Sequence, residues 1–285
     1  MHPRIIVNNR LVEASRARLH AVTGATLHGR GVFTTLAVHG GRPFLWGAHW
    51  LRLLDHARRV GVECGVEEGE AADALARLIE ANGVEEGRAR LTLLAHAARG
   101  PWTTGGGGHA SDLLVMTGDA RAASSDDDTL ALTVSPHRLN TLSPLAGVKS
   151  VNYLEHVLAW EEARARDFDE AVVLNERGEV VSATMANLFW VKSGTVHTPA
   201  LQTGALAGTT RACVMGLAAE LAVPLVEGAS PLHDLAEADE IFLTSSALGV
   251  TLVTTFDFHR HAVGAGSVAL RLREAFRQLT LSSEQ

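Results

Sequence analysis

Turn residues set between strand-forming runs constrain this chain more than any other feature. In "IIVNNRLVE" (5–13) Asn8 and Asn9 separate two apolar runs, and in "GVFTTLAVHGGRPFLW" (31–46) Gly40 and Gly41 separate Val32, Phe33, Thr34 and Thr35 from a return strand expected through Phe44 and Trp46. Residues that tolerate left-handed backbone, placed between such runs, close antiparallel hairpins. The pattern recurs in "AVVLNERGEVVSA" (171–183), with its turn at 176–178, and in "NLFWVKSGTVHT" (187–198), with its turn at Ser193 and Gly194. Regular strand–helix–strand alternation is missing, so a doubly wound parallel sheet is not expected. The fold class expected is α/β (α+β), with hairpin-rich mixed sheets and flanking helices.

Helical spacing fills the gaps between these strands. Trp50, Leu51, Leu54 and Val60 predict one apolar face, with Arg52, Asp55, Arg58 and Arg59 around it. Further helices are expected over 71–80 and 152–166, the latter with Leu154, Val157, Leu158 and Ala163 inward, after the loop "TGALAGTTR", and from Ser267 onward. A length of 285 residues exceeds the usual single core. The polar run "GDARAASSDDDT" (118–129) is the best linker, giving an N-terminal α/β domain over 1–117 and a second domain over 130–285.

Composition narrows the function classes. The net charge of −7 and the absence of a basic block argue against a nucleic acid or an anionic membrane as partner. No apolar run approaches the roughly 20 residues that span a bilayer. The beginning of the sequence has no apolar signal core. Cys64 and Cys213 are the only cysteines and lack CxxC spacing. A cytoplasmic protein acting on small molecules is the expectation.

Among 25 basic residues only Lys149 and Lys192 are lysines. A lysine amine can lose its proton and attack a carbonyl carbon, which a guanidinium cannot do. Lys149, in "LAGVKSVNYLEH", is therefore either a nucleophile or an ordinary surface lysine, and Lys192 sits at an exposed turn. "GALAGTTRACV" (204–214) leads small residues and two hydroxyls into a helix, where free N–H groups suit a phosphate, although Thr209 or Thr210 could simply cap that helix. "FLTSSALGV" (242–250) ends a strand in hydroxyls, and Arg52 could clamp an anion. No His, Asp or Glu set has metal-ligand spacing, no GxGxxG follows Gly29 and Gly31, and no GxSxG is present. A nucleophilic lysine with phosphate-binding groups is what a pyridoxal-phosphate enzyme requires.

The chain resembles the class-IV aminotransferase family, the fold-type IV pyridoxal-phosphate enzymes that include branched-chain and D-amino acid aminotransferases and aminodeoxychorismate lyase. The resemblance covers most of the chain. It rests on "GRGVFTTL", "HWLRLLDHARRVGV", "GVKSVNYLEHVLAWEEARARDFDEAVVLNERGEVV", "ANLFWVKSGTVHTP", "GALAGTTR" and "ADEIFLTSSALGV", in that order. It implies a two-domain, D-amino acid aminotransferase-like fold and a homodimer, with pyridoxal 5'-phosphate held between domains. It further implies that Lys149 holds the cofactor as an internal aldimine and shuttles the proton. Arg52, Thr209, Thr210, Ser245 and Ser246 would bind phosphate, Leu206 would pack on the pyridine ring, and Tyr153 would lie near the phenolic oxygen. Candidates for contacting substrate carboxylates are His28, Arg30, Thr34, Arg99 and the loop 102–108.

One position departs from the family pattern. Five residues before the Asn of "NLF", most members carry a Glu that keeps the pyridine nitrogen protonated; here it is Ser182. A hydroxyl cannot neutralise a pyridinium. That substitution bears on transamination more than on an elimination whose product becomes aromatic. Together with "LAGVKSVNYLEHVL", "FTT" and "ANLFW", it favours aminodeoxychorismate lyase. A branched-chain or D-amino acid aminotransferase and a non-catalytic family member are the alternatives. The D-amino acid enzymes' Arg-x-His carboxylate trap is not evident in "AARGPWTT".

Overall fold

A computed structural model describes residues 1–96, 109–120, 129–261, 264 and 266–282. The described residues form two compact units, one from Met1–Ala122 with Val148–Tyr153, the other from Ala123–Gly147 with Leu154–Ser282. The stretch holding Lys149 thus packs in the first unit, although the polar run 118–129 precedes it.

The first unit is built on seven strands, β1 (Arg4–Val7), β2 (Arg10–Glu13), β3 (Gly31–His39), β4 (Arg42–Pro43), β5 (Val62–Glu63), β6 (Gly87–Ala95) and β7 (His109–Asp119). They are ordered β2-β1-β7-β6-β3-β4, with β5 added parallel to β7 and every other pair antiparallel. Asn8 and Asn9 both take positive φ, as the first hairpin demands. The second hairpin closes at Gly40-Gly41, but its return strand stops at Pro43. Pro43 has no N–H for a ladder, and Leu45 then turns left-handed at φ 54°, so Phe44 and Trp46 are not strand residues and the next helix starts at Trp46.

Helices α1 (Gly24–His28), α2 (Trp46–Arg59) and α3 (Glu68–Asn82) complete this unit. Leu36, Leu53, Leu75, Leu78, Leu91 and Leu93 are among its fully buried core. On α2 the inward residues are His49, Trp50, Leu53, His56 and Ala57. Leu51, expected on the apolar face, is 67% exposed, because it lies about 100° around the helix from Trp50.

The second unit carries nine strands: β8 (Thr129–Leu139), β9 (Glu170–Asn175), β10 (Val180–Ala183), β11 (Asn187–Lys192), β12 (Thr195–Pro199), β13 (Leu225–Gly228), β14 (Glu240–Ser245), β15 (Gly249–Phe256) and β16 (His259–Arg260). Eight of them run β10-β9-β8-β15-β14-β11-β12-β13, and β16 pairs with β15. Hairpins β9-β10 and β11-β12 fall where their turns predict, while β8-β9, β8-β15 and β12-β13 are parallel. Helices α4 (Leu154–Ala165), α5 (Thr209–Glu220), α6 (Leu232–Ala236) and α7 (Val268–Ser282) belong to this unit. Against expectation, Leu154 and Leu158 on α4 are exposed; Ala163 is buried as expected, together with Ala159. Small side chains at i and i+4 let the helix backbone approach the sheet closely. Among the described residues no helix is long and apolar enough to cross a membrane.

One buried carboxyl in this unit makes stability pH-dependent. Glu170 opens β9, is 5% exposed, and accepts hydrogen bonds from the N–H (3.0 Å) and hydroxyl of Thr184. Burial outweighs those bonds and raises its pKa from 4.5 to about 7. Between those values the folded chain keeps a proton that the unfolded chain releases, so stability declines as pH rises through this window, by on the order of 3 kcal/mol once pH exceeds 7. Glu170→Gln keeps a neutral acceptor without that proton. Urea unfolding should find the variant close to wild type near pH 4.5 and more stable at pH 8; equal differences at the two pH values would refute the assignment.

Candidate active site

In the first unit the chain around Lys149 lies along the start of β3. Phe33 N–H donates to the Lys149 carbonyl at 2.9 Å, Val151 N–H donates to the Gly31 carbonyl at 3.0 Å, and Val32 and Ser150 form an antiparallel bridge. Asn152 Nδ2 donates to the Gly29 carbonyl at 2.7 Å. Gly29 has φ +61°, and a Cβ there would stand 2.0 Å from Asn152 Oδ1, so this glycine admits the stretch rather than cradling a dinucleotide.

The amine of Lys149 sits among aromatic rings and guanidinium groups. Its Nζ is 3.5 Å from Tyr153 Oη, 4.7 Å from the centroid of Phe33 and 4.9 Å from that of Tyr153. Those two rings meet edge to face at 5.2 Å, and the Arg90 guanidinium stacks 3.6 Å over Phe33. Arg52 donates through Nη2 to Thr34 Oγ1 at 2.9 Å, and Thr34 Oγ1 lies 2.7 Å from His49 Nδ1. The N–H of Lys149 donates to His56 Nδ1 at 3.0 Å.

Burial, then the charges of Arg52 and Arg90, pull the Lys149 pKa from 10.5 to about 7. A large share of the amine is therefore neutral and nucleophilic at neutral pH. Burial is also the largest cause for Arg52, lowered to about 10, for Arg90, lowered, and for His49 and His56, lowered to about 3 and about 4. Three cationic side chains held together at this cost suit an oxyanion, whose charge would relieve their mutual repulsion.

The second unit offers a separate set of donors. Helix α5 begins at Thr209, and its N-cap is Gly208, with no side-chain cap. The reading of Thr209 or Thr210 as the capping residue is thereby corrected: both lie inside the first turn and are buried, and the cap position is Gly208. Asn187 of β11 fixes this loop by donating Nδ2 to the Leu206 carbonyl at 2.9 Å. A Cβ on Gly208 would fall 1.9 Å from Asn187 Oδ1, so only glycine fits. Opposite Asn187 on β14, Thr244 has a buried hydroxyl without a hydrogen-bond partner, a donor that an anion could use. Ser245 and Ser246 follow it and are half-exposed, Ser245 Oγ accepting from Leu248 N–H at 3.1 Å. Leu206 is half-buried, and Ser182 is buried at the bulge of β10 beside Val173. Within the first unit, a lysine amine of low pKa with the Arg52 and Arg90 guanidinium groups near it fits the aldehyde and the anionic groups of pyridoxal phosphate.

The first unit therefore brings Lys149, Arg52, Tyr153 and Thr34 together. It adds Phe33, His49, His56 and Arg90, which sequence reasoning missed. The spacing of His49, Arg52 and His56 on one helix face was a usable signal; for Arg90, in β6, there was none. His28 ends α1 exposed, and Arg30, half-buried, precedes β3. Arg99 and the loop 102–108 lie outside the described residues. Among the described residues no group of three His, Cys, Asp or Glu side chains is arranged to hold a metal ion.

Comparison with known proteins returns one consistent family. The family described as amino-transferase class IV matches residues 31–256. A Methanocaldococcus jannaschii protein bearing a provisional branched-chain-amino-acid aminotransferase name is 29% identical, over 97% of this chain and 96% of its own. Bacillus subtilis aminodeoxychorismate lyase is 28% identical, over 96% of this chain and 94% of its own. The crystal structure of a T.th. branched-chain amino acid aminotransferase with pyridoxamine 5'-phosphate superposes with a TM-score of 0.88 at 25% identity, covering 99% of this chain and 95% of that one.

Proposed function

Because the chain belongs to the class IV amino-transferase family, we propose that it is a pyridoxal-phosphate-dependent lyase converting 4-amino-4-deoxychorismate to 4-aminobenzoate and pyruvate. That it is a pyridoxal-phosphate-dependent enzyme follows from the family; the reaction is the proposed part. When bound, the cofactor supplies an electrophilic aldehyde carbon and an electron-withdrawing ring.

The protein's own groups would divide the work as follows. Lys149, about half neutral near pH 7, serves as the covalent anchor and its Nζ as the base that takes the substrate's ring proton. Tyr153 Oη, 3.5 Å from Nζ, orients that amine. Arg52, held by Thr34, and in the second unit Thr209, Thr210, Ser245 and Ser246 serve as phosphate ligands. Leu206 packs on the ring. Arg90, fixed over Phe33 beside the amine, is the best-placed cation for a substrate carboxylate. Loss of the ring proton, departure of the enolpyruvyl oxygen and protonation of the released enol give 4-aminobenzoate and pyruvate.

The observation that carries the lyase reading is Ser182, a buried hydroxyl at the position where the resemblance implies a Glu in most members. Elimination driven by aromaticity depends least on that carboxylate. An aminotransferase is the second reading, favoured by Tyr153 at Lys149 and by the names of the relatives. The purified enzyme given 4-amino-4-deoxychorismate should release pyruvate and 4-aminobenzoate in equal amounts. Rapid amino transfer from amino acids to 2-oxoglutarate without lyase turnover would replace the first reading with the second.

A further inference from the structure

His56 is absent from the roles assigned above, yet it holds the main chain of the reactive residue. The Lys149 carbonyl is fixed by β3, through Phe33 N–H at 2.9 Å. The ladder does not also take the N–H of Lys149, which turns to α2 and donates to His56 Nδ1 at 3.0 Å. A backbone N–H can only donate, so this bond requires Nδ1 to be bare and the imidazole proton to sit on Nε2. The ring is 3% exposed, and no solvent exchange can readily replace the acceptor. His56 also stands one turn beyond Arg52 on α2, so one helix face carries both the guanidinium near the amine and the anchor of its backbone.

We propose that His56 is a positioning residue for Lys149, its bare Nδ1 fixing the nucleophile's N–H so that the side chain extends between Phe33 and Tyr153. This rests on Lys149 being the reactive amine. Charge supports it. The ionisable groups acting on His56 are Arg52, Asp55 and Arg59 from its own helix and Lys149 from the adjoining stretch; burial and the three cations lower its pKa to about 4, against the weaker pull of Asp55. Lys149 changes charge near pH 7, so the anchor stays neutral throughout the titration of the amine it holds. Protonated His56 would lose its acceptor and add a cation beside Lys149.

The test uses the full chain loaded with pyridoxal phosphate. Nitrogen NMR of the labelled histidines should find His56 as the Nε2–H tautomer, without titration, down to about pH 5. In His56→Leu the N–H loses its partner and water must enter. The pH midpoint of the bound cofactor's absorbance should move by about one unit or more, and kcat should fall at least about tenfold with KM within about twofold. His56→Asn places an amide oxygen close to where Nδ1 was and should restore the midpoint to within about 0.3 units. An Nδ1–H tautomer, ordinary titration near the free histidine range, or equal losses in the Leu and Asn variants would overturn the proposal. The tautomer measurement needs no variant, so it decides the matter even if His56→Leu does not fold. Lack of any cofactor absorbance in the wild type, by contrast, would sink the functional reading from which this proposal starts.

Discussion

Lys149→Ala is expected to leave the fold intact and to lower turnover by about a thousandfold or more, since the covalent anchor and the proton carrier are lost together. Removing a cation from a group of three relieves repulsion, and the main-chain bonds that hold the stretch do not involve the side chain. No second amine can substitute, because Lys192 is at the end of β11 and bonded to the Glu237 carbonyl. Lys149→Arg should fail equally, as a guanidinium stays charged. Borohydride reduction followed by peptide mass analysis should find cofactor fixed to Lys149 in the wild type and to no residue in either variant. Attachment to Lys149 should also slow about tenfold per pH unit below pH 7, the range set by the lowered pKa. Cofactor fixed elsewhere, or a variant with near-normal turnover, would remove Lys149 from the centre of the proposal.

Ser182→Glu is expected to raise the rate of amino transfer from an amino acid by about 10- to 100-fold, equivalent to about 1.4–2.8 kcal/mol of barrier, while changing lyase turnover far less. Ser182 is 8% exposed, on β10 opposite Val173. A carboxylate introduced there is costly to ionise alone and resists less when a positive charge is beside it. The cofactor-free variant should therefore be less stable than wild type above neutral pH, and added pyridoxal phosphate should recover more stability in the variant than in the wild type. Single-turnover amino transfer and urea unfolding with and without cofactor measure the two effects. If the variant binds cofactor but transfers amino groups no faster, the identity of residue 182 does not decide between the two reactions.

Much of the second unit was legible because hairpin turns are local. Glu176 to Gly178 and Ser193-Gly194 close their strands within a few residues, and the backbone conformations they need are encoded by the residues present, with Gly178, Ser193 and Gly194 all at positive φ. Amphipathic spacing was less informative, because it marks an apolar stripe without saying what will cover it. Leu51, Leu154 and Leu158 have the right period and remain exposed, while two histidines, His49 and His56, face inward on α2. Glu170 and Thr184 likewise gave no sequence signal, since their bond joins separate strand ends and its effect on pKa comes from burial.

The sequence by itself determined the chemistry available: one lysine suited to attack a carbonyl, a Gly-bounded loop before a helix, a hydroxyl at 182, and hairpins that exclude a doubly wound sheet. Only the tertiary structure decided what surrounds that lysine. Its carbonyl is held from β3, its N–H from α2 and its charge is opposed by Arg90 from β6, so three elements distant along the chain converge on one residue. Desolvation and charge repulsion act through space, and a lysine near pKa 7 is a property of that convergence rather than of any motif.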